Sequence, residues 1–574
     1  MSGWKSELSA VGRVSDPARL GTYPRALPSS KRLLGNGGSE TRPTTTLACV
    51  LLAAALLLPS CSKTAAPTAG EAPQILRISQ RNEPADLDPA VAALPDELFI
   101  IRALSEGLVA PAPDLGPPRP AAAERWEVSA DALTYTFHLR RDAQWSNGEP
   151  VTADDFLDSY RRVLRPATAA PKAPLFFMVK NARAFALGEI TDFDAVGFRA
   201  PDAHTVVVTL EHPVPRFLAY VASGPWIPVN LRAVARFGRS WTRPGNFVGN
   251  GAFTLTEWQP HQRIVVRRNP AYHGAASIRL TEIQFLAFDN GDTEERAYRA
   301  GQLDVTMAIP FTKLETYRRD HPDEAHRAPL AETRYLSFNT MRAPLNDARV
   351  RRALTLALNR GQLVARVLQG GQAPAYRLLP AALRGPDDHD LRRAGELRED
   401  PATARRLLAE AGFPGGRDFP RLELSSFVGT PVTEVVQATW RKELGIEVAL
   451  VTREARVHVA ALREGRYDIG FITAIPDVAD AANLLGDFTA DSPGNYPHWR
   501  DARYTALVDQ AVRTADPALQ ADRLRAAEAR LLDQCPLAPL YFNATNWLMR
   551  PTVRGWHQDA LWTRFYDNVH LHED

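Results

Sequence analysis

The residue types that could carry out chemistry are poorly spaced for catalysis. The sequence contains no GxSxG nucleophile turn, no HExxH metal motif and no glycine-rich phosphate loop. His321 and His326 are not at the i and i+4 spacing that places two metal ligands on one helix face. The sequence therefore predicts no catalytic residue, no metal site and no cofactor.

Charge and cysteine content narrow the function classes further. The 574-residue chain carries 68 Lys and Arg against 66 Asp and Glu. Without residues 1–60, 61 basic and 63 acidic residues remain, so the basic excess of a nucleic-acid binder is missing. Only Cys49, Cys61 and Cys535 occur, which allows neither a CxxC site nor a predicted disulfide framework. At roughly 100–200 residues per domain, the length predicts about three domains.

An export signal is predicted near the N-terminus. Residues 47–58 (LACVLLAAALLL) form an apolar run that is too short to span a bilayer and follows a basic segment. The run ends in Leu-Pro-Ser before Cys61 and resembles the lipobox of bacterial lipoproteins, which implies acylation of Cys61 and a membrane anchor. We expect residues 1–60 to be a leader, with 1–30 a candidate misassigned translation start, and 61–74 to be a flexible tether.

The most regular stretch is residues 134–166, TYTFHLRRDAQWSNGEPVTADDFLDSYRRVLRP. Its first third alternates apolar and polar residues, as in a half-buried strand. Thr152 and Asp155 have the spacing of a capping box, so a helix is predicted after the turn at Asn147 and Gly148. Elsewhere, Asp347 and Asp400 each precede a helical pattern as predicted N-caps.

This stretch resembles a block shared by the extracytoplasmic solute-binding proteins of peptide ABC importers, the oligopeptide- and dipeptide-binding family 5. Residues 335–354 (YLSFNTMRAPLNDARVRRAL) resemble a second family block. The resemblance implies an α/β, periplasmic-binding-protein-like type II fold of two lobes with a hinge and an inserted third domain. We expect lobe I at 75–117, 193–310 and 546–574, the inserted domain at 118–192, and lobe II at 311–545.

The resemblance also implies where a ligand binds. In the family an extended peptide lies between the lobes and pairs with protein strands, as in β-augmentation. The ligand-contacting positions expected here are Ala92, Ala93, Leu94, Lys172, Asn250, Ala474, Ile475 and Asp477. Asp477 is expected to pair with the α-ammonium of the peptide, and the alternative is that it caps a helix over 478–485. Lys172 is expected either to attract a ligand carboxylate or to be solvated.

Departures from the family pattern keep other functions open. Ala474 and Ala455 stand where oligopeptide binders have pocket tryptophans, and Pro476 cannot donate a backbone hydrogen bond. The expected function is nevertheless a membrane-tethered, monomeric receptor in the periplasm or at the outer cell surface. It captures oligopeptides and delivers them to an ABC permease. One alternative is a receptor for a metal chelate, an opine or a sugar-linked compound, and a remote one is a secreted hydrolase.

Overall fold

The computed structural model describes residues 73–81, 83–92, 94–384 and 396–572. Ala93, Cys61 and the whole leader lie outside these residues, as does the tether except for 73–74.

The strands, numbered in chain order, fall into three larger sheets and three short pairs. They are β1 Ile75–Gln80, β2 Val109–Ala110, β3 Arg119–Pro120, β4 Ala123–Val128, β5 Thr134–Leu139, β6 Phe198–Asp202, β7 Thr205–Thr209, β8 Phe253–Gln259, β9 Arg263–Arg268, β10 Glu282–Ala287, β11 Ala325–Phe338, β12 Ala373–Pro374, β13 Leu422–Ser426, β14 Val448–Thr452, β15 Ile469–Ala474, β16 Leu537–Leu548, β17 Val553–Arg554, β18 His557–Gln558, β19 Arg564–Phe565 and β20 His570–Leu571.

The α-helices pack on the faces of these sheets. They are α1 Pro95–Leu104, α2 Ala153–Leu164, α3 Ala182–Ala186, α4 Phe217–Val221, α5 Leu231–Phe237, α6 Gly291–Arg299, α7 Leu314–Asp320, α8 Ala348–Leu356, α9 Arg360–Gln362, α10 Pro401–Glu410, α11 Pro431–Leu444, α12 Ala455–Arg463, α13 Ala481–Gly486, α14 Ala502–Val512 and α15 Pro517–Gln534. A π-helical turn, Leu363–Leu368, follows α9.

Lobe I is built on a four-stranded sheet with the order β1-β10-β9-β8. The first strand is parallel to β10, and the other neighbours are antiparallel. Leu76 and Ile78 are fully buried, and they pack in one cluster with Phe99 and Ile100 of α1. This packing fixes the position of α1 against the sheet, and it therefore also fixes the position of the N-terminal end of α1.

A second sheet, with the order β4-β5-β7-β6, contains the regular stretch found in the sequence. The alternation predicted for β5 is observed, and the capping box of Thr152 and Asp155 starts α2 as expected. Because β7 pairs with β5, and β6 pairs with β7, this sheet continues past residue 192, where we placed the end of the inserted domain. We propose that the inserted domain ends after β7 instead.

Lobe II is built on a six-stranded mixed sheet with the order β12-β16-β11-β15-β13-β14. The predicted N-caps are observed, because the carboxylate of Asp347 accepts from the Arg349 backbone N–H and that of Asp400 from Thr403. These caps position α8 and α10, which pack against each other through residues such as Val350 and Leu408.

The two longest strands join the lobes. β11 and β16 run antiparallel over almost their whole length, with irregularities between Pro329 and Thr333 and between Arg334 and Tyr335. At the far end of β16, Leu548 accepts a backbone hydrogen bond of 2.9 Å from Thr306, which belongs to the lobe I side. This end of the β11–β16 ladder therefore contacts lobe I, and we propose that it forms the hinge region.

A buried ion pair connects the first turn of lobe I to the inserted domain. Asp88, 4% exposed, accepts hydrogen bonds from both terminal nitrogens of Arg162 on α2 and a 2.9 Å bond from the Ala90 backbone N–H. The Asp88 carbonyl also accepts from the backbone N–H of Val91 and of Ala92. This carboxylate thus fixes the segment that leads to Leu94.

Replacing Asp88 by Ala should lower the free energy of unfolding by about 2–4 kcal/mol, since the half-buried Arg162 would lose its counter-charge. Urea denaturation followed by tryptophan fluorescence measures the difference. Asp142→Ala in the inserted domain is the matched control, because its pair with Arg140 is largely exposed and should contribute about 0–1 kcal/mol. Equal effects of the two substitutions would contradict this account of Asp88.

Candidate functional site

A cavity of about 590 Å³ lies where lobe I, the inserted domain and lobe II meet. Lobe I contributes residues near the start of α1, including Leu94, Leu98 and Phe99, and a proline-rich connector at 111–118. Lobe II contributes residues 475–479, and the C-terminal segment contributes residues 559–563. The lining is mostly Leu, Pro, Ala and aromatic side chains, so the cavity is an apolar chamber with few charged groups.

The wall from lobe II is the loop that follows β15. This strand ends at Ala474, and Asp480 begins the next helix by accepting a 2.9 Å hydrogen bond from the Ala482 backbone N–H. Between them, Val478 is only 3% exposed and belongs to the hydrophobic cluster of the inserted domain that contains Tyr135, Leu175 and Phe217. A lobe II side chain is therefore part of the core on the opposite side of the cavity.

Two hydrogen bonds from lobe I hold the same loop. Arg216 donates from Nη1 to the Ala479 carbonyl at 2.7 Å, and the Tyr220 hydroxyl donates to Oδ2 of Asp480 at 3.1 Å. Burial raises the pKa of the Asp480 carboxyl, while the Tyr220 hydrogen bond and the Arg216 charge oppose that shift. We call Val478, Ala479 and Asp480 with their partners Arg216 and Tyr220 the interlobe contact.

An ion pair stands at one end of the cavity. Lys172 Nζ of the inserted domain lies 2.6 Å from Oδ1 of Asp477 in lobe II, and the two side chains are 30% and 34% exposed. The backbone N–H of Asp477 donates to Asn483 Oδ1 at 2.7 Å, which fixes the carboxylate at the start of the loop. A ligand in the cavity therefore meets a lysine and an aspartate that already compensate each other.

A second carboxyl group lies within the electrostatic reach of this pair. Desolvation raises the pKa of Asp487 from its ordinary value of 3.8 to about 7; the Asp477 charge adds to the shift and Lys172 opposes it. Asp487 therefore carries only part of a negative charge at neutral pH.

Besides Lys172, Asp477 and Arg216, the charged residues in the lining are Arg102 and Asp559. The Arg102 guanidinium donates to the Ala222 carbonyl at 3.3 Å from each terminal nitrogen. Burial lowers the pKa of Arg102, and the Asp559 carboxylate opposes the shift. Oδ1 of Asp559 accepts from the backbone N–H groups of Leu561 and Thr563, each at 2.8 Å. Arg102 is thus engaged within the protein, and Asp559 is engaged through Oδ1, while its buried Oδ2 has no hydrogen-bond partner among the described residues.

Five of the residues predicted from the sequence come together in the cavity lining: Ala92, Leu94, Lys172, Ile475 and Asp477. The backbone at 92 and 94 is not a regular strand, and its amides are already used. Ala92 N–H donates to Asp88, and Leu94 N–H donates to Oε2 of Glu97 as part of the cap of α1. Any backbone pairing with a ligand here must therefore use carbonyl oxygens.

Two predicted residues lie elsewhere in the structure. Ala474 is buried in a lobe II core cluster, and the cavity lining begins only at the next residue. The Asn250 side chain accepts from the Glu106 backbone N–H and donates to the Glu106 carbonyl, at 3.1 and 3.0 Å. Its neighbours Gly249 and Gly251 are needed, because a Cβ on either would lie 2.1 or 2.5 Å from the backbone at 104–105.

The alternative that Asp477 caps a helix is wrong. The helix is α13, which begins at Ala481 and is capped by Asp480. A capping aspartate directly before the apolar run could have been recognised from the sequence, whereas Arg216 and Tyr220 carry no local signal of their role. The distance between these residues and Asp480 in the sequence exceeds 250 positions, so only the fold brings them together.

The described lining contains no His, Cys or Glu. In the part of the chain that the structure describes, no group of three or more His, Cys, Asp and Glu residues could hold a metal ion. Among the same residues, no helix has the length and hydropathy needed to cross a membrane.

Known proteins resemble this chain over most of its length. Residues 117–496 match the family model described as bacterial extracellular solute-binding proteins, family 5 Middle. Over 490 residues the chain is 34% identical to the probable deoxycholate-binding periplasmic protein YgiS of Escherichia coli K12, covering 84% of this chain and 90% of YgiS. Over 507 residues it is 31% identical to the periplasmic oligopeptide-binding protein OppA of the same strain, covering 87% and 92%.

The fold has solved relatives as well. The structure of the murein tripeptide binding protein MppA of Escherichia coli superposes with a TM-score of 0.79 at 30% identity, covering 88% of this chain and 100% of that one. Sequence and structural similarity therefore lead to the same group of proteins.

Replacing Asp487 by Asn should change how stability depends on pH. Because the folded state raises the pKa of Asp487 to about 7, it binds this proton more tightly than the unfolded state does, and stability is lost as the pH rises toward 7. Between pH 5 and 8 the wild type should therefore lose about 2–3 kcal/mol more than Asp487→Asn.

Denaturation midpoints measured at several pH values test this difference. Asp491→Asn, at an exposed position of the same lobe, should follow the wild type. Parallel curves for the wild type and Asp487→Asn would show that Asp487 does not titrate as stated.

Proposed function

The chain belongs to the bacterial extracellular solute-binding proteins of family 5, and from this premise we propose that it captures oligopeptides outside the cytoplasm and delivers them to an ABC import permease. Membership confirms the predicted fold, an α/β type II architecture of two lobes. The observation that carries the proposal is the apolar cavity between the lobes, with the Asp477 carboxylate at its wall. Its volume falls within the range of about 300–1,000 Å³ that is usual for ligand pockets.

The peptide backbone would pair with protein edges on both sides of the cavity. β15 pairs with β11 along its whole length but with β13 only at Ile469 and Gly470, so the described structure leaves the other edge of 471–474 without a strand partner. A ligand strand could add there by β-augmentation, which is how Ala474 and Ile475 would act as ligand contacts. On the lobe I side, the carbonyl of Ala92 would accept from a ligand N–H group, whereas the carbonyl of Leu94 already accepts from the backbone N–H groups of Glu97 and Leu98.

Asp477 would receive the α-ammonium group of the peptide. It is a lining carboxylate whose backbone is fixed by Asn483, and a charge-assisted hydrogen bond to an ammonium is among the stronger polar contacts. Lys172 already forms an ion pair with this carboxylate, so the ligand ammonium must either displace Lys172 or share the carboxylate with it. Asn250, in contrast, would act only by supporting the turn beside Glu106.

The relatives YgiS and OppA are periplasmic proteins, and a periplasmic or outer-surface location is proposed here too. We propose in addition that Cys61 is acylated and tethers the chain to a membrane, and that the receptor works as a monomer with its permease.

Retention of peptides is the direct test of the function. Purified protein is incubated with a peptide mixture, washed, and the retained molecules are identified by mass spectrometry. Intact oligopeptides are the expected result. Retention of no peptide overturns the proposal, and cleaved products would indicate a hydrolase. Deoxycholate, the compound in the name of YgiS, is added in a parallel sample as a non-peptide competitor.

Asp477→Asn should weaken the binding of retained peptides by about tenfold, because the amide cannot pair with an ammonium and leaves Lys172 uncompensated. Isothermal titration calorimetry measures this change. Asp509→Asn, at an exposed position on α14, is the control and should leave the affinity unchanged. Unchanged affinity of Asp477→Asn would remove Asp477 from the proposed site.

Cys61→Ser should move the protein from the membrane fraction to the soluble extracytoplasmic fraction, since acylation requires the thiol. Cell fractionation and immunoblotting measure the distribution. Cys535→Ser is the control, because Cys535 is buried in lobe II. Membrane association that survives Cys61→Ser would exclude the anchor.

A further inference from the structure

The resident ion pair between Lys172 and Asp477 restricts which ligand ends can bind. Lys172 Nζ is already 2.6 Å from Asp477 Oδ1. A ligand ammonium that reaches Asp477 therefore only replaces a contact that the protein makes by itself. The exchange gains little unless the displaced lysine finds a new partner.

The surrounding groups do not supply that partner. Of the other charged lining residues, Arg102 and Arg216 are cations, and Arg216 donates to Ala479. The other lining carboxylate, Asp559, accepts from Leu561 and Thr563 and interacts with Arg102. Asp487, which interacts with both members of the pair, is largely desolvated. The lining thus holds three cations and two carboxylates, an excess of positive charge.

A ligand that carries a carboxylate next to its ammonium group supplies the new partner that the displaced Lys172 needs. The ammonium then pairs with Asp477 and the carboxylate with Lys172, so that one protein ion pair becomes two ion pairs with the ligand. Because the two protein groups are in contact, the two ligand charges must also lie within a few ångströms of each other. An acidic first residue of a peptide meets this condition.

The apolar part of the cavity determines which residues can come after this charged head. Leu98, Phe99, Leu115, Leu218 and Leu561 line the chamber, and they favour apolar side chains over charged ones. The second and third residues of a bound peptide should therefore be apolar.

We propose that Lys172 is a specificity-determining residue that selects peptides with an acidic N-terminal residue followed by apolar residues. This inference rests on the proposed function, since it names the peptide class that the same cavity takes. Lys172 acts by direct contact with the ligand carboxylate, while Asp477 contacts the ammonium.

Two tripeptides of nearly equal shape test the inference: Asp-Leu-Ala and Asn-Leu-Ala. Isothermal titration calorimetry should show the wild type binding the Asp peptide about tenfold more tightly than the Asn peptide. In Lys172→Met this preference should fall to about twofold or less, and the Asn peptide should bind more tightly than it binds the wild type, because Asp477 is then free.

Control variants separate the contact from a general charge effect. Lys172→Arg should keep the preference, and Lys180→Met, at an exposed position of the same domain, should behave as the wild type. Equal affinities of the two peptides for the wild type, or a preference that survives Lys172→Met, would overturn the inference and leave the proposed function intact. If neither these peptides nor any from the mixture binds, the proposed function fails as well. Thermal unfolding confirms that each variant is folded.

Discussion

The site depends on one contact, the insertion of Val478 from lobe II into the core of the inserted domain. Burying a valine contributes about 1.5–3 kcal/mol, and each hydrogen bond of the interlobe contact about 0.5–1.5 kcal/mol. These amounts are small beside the stability of a lobe, and they are similar to what a ligand contributes when it bridges two lobes. A closed form held by such a contact can exchange with an open one, so ligand binding can shift the balance between them.

The hinge makes this balance possible without disturbing either lobe. β11 and β16 pair over a long distance, and the irregularity between Pro329 and Thr333 separates the end of the ladder at Ala325 and Leu548 from the part that lies in the lobe II sheet. Each lobe has its own sheet and its own hydrophobic cluster, so each can move as a rigid body. The cavity exists only between these bodies, and for this reason its lining comes from segments that are far apart in the sequence.

Local patterns predicted the local structure well and the assembled site only in part. The capping box at Thr152, the cap at Asp347 and the alternation of β5 depend on neighbours in the sequence, and all three are observed. The alternative role of Asp477 as a helix cap is wrong and the cap lies at Asp480, because two aspartates three residues apart offer the same local signal. The resemblance to the family predicted Lys172 and Asp477 as ligand-contacting positions. Their contact, like that between Tyr220 and Asp480, joins separate domains and leaves no periodic trace in the chain.

An apolar chamber also changes how each charged group within it is stabilised. Here charged groups lose much of their hydration, so the protein gives each of them a partner: Arg102 has the Ala222 carbonyl, Arg216 has Ala479, and Lys172 has Asp477. A carboxylate that stood alone would attract any ammonium group. Asp477 does not stand alone, and the attraction it offers is reduced by the cost of separating it from Lys172. Affinity in such a site depends on the difference in free energy between the ion pairs and hydrogen bonds present before binding and those present after binding. In the proposed site, ligand choice would therefore depend on Lys172 as well as on Asp477, with which it forms an ion pair.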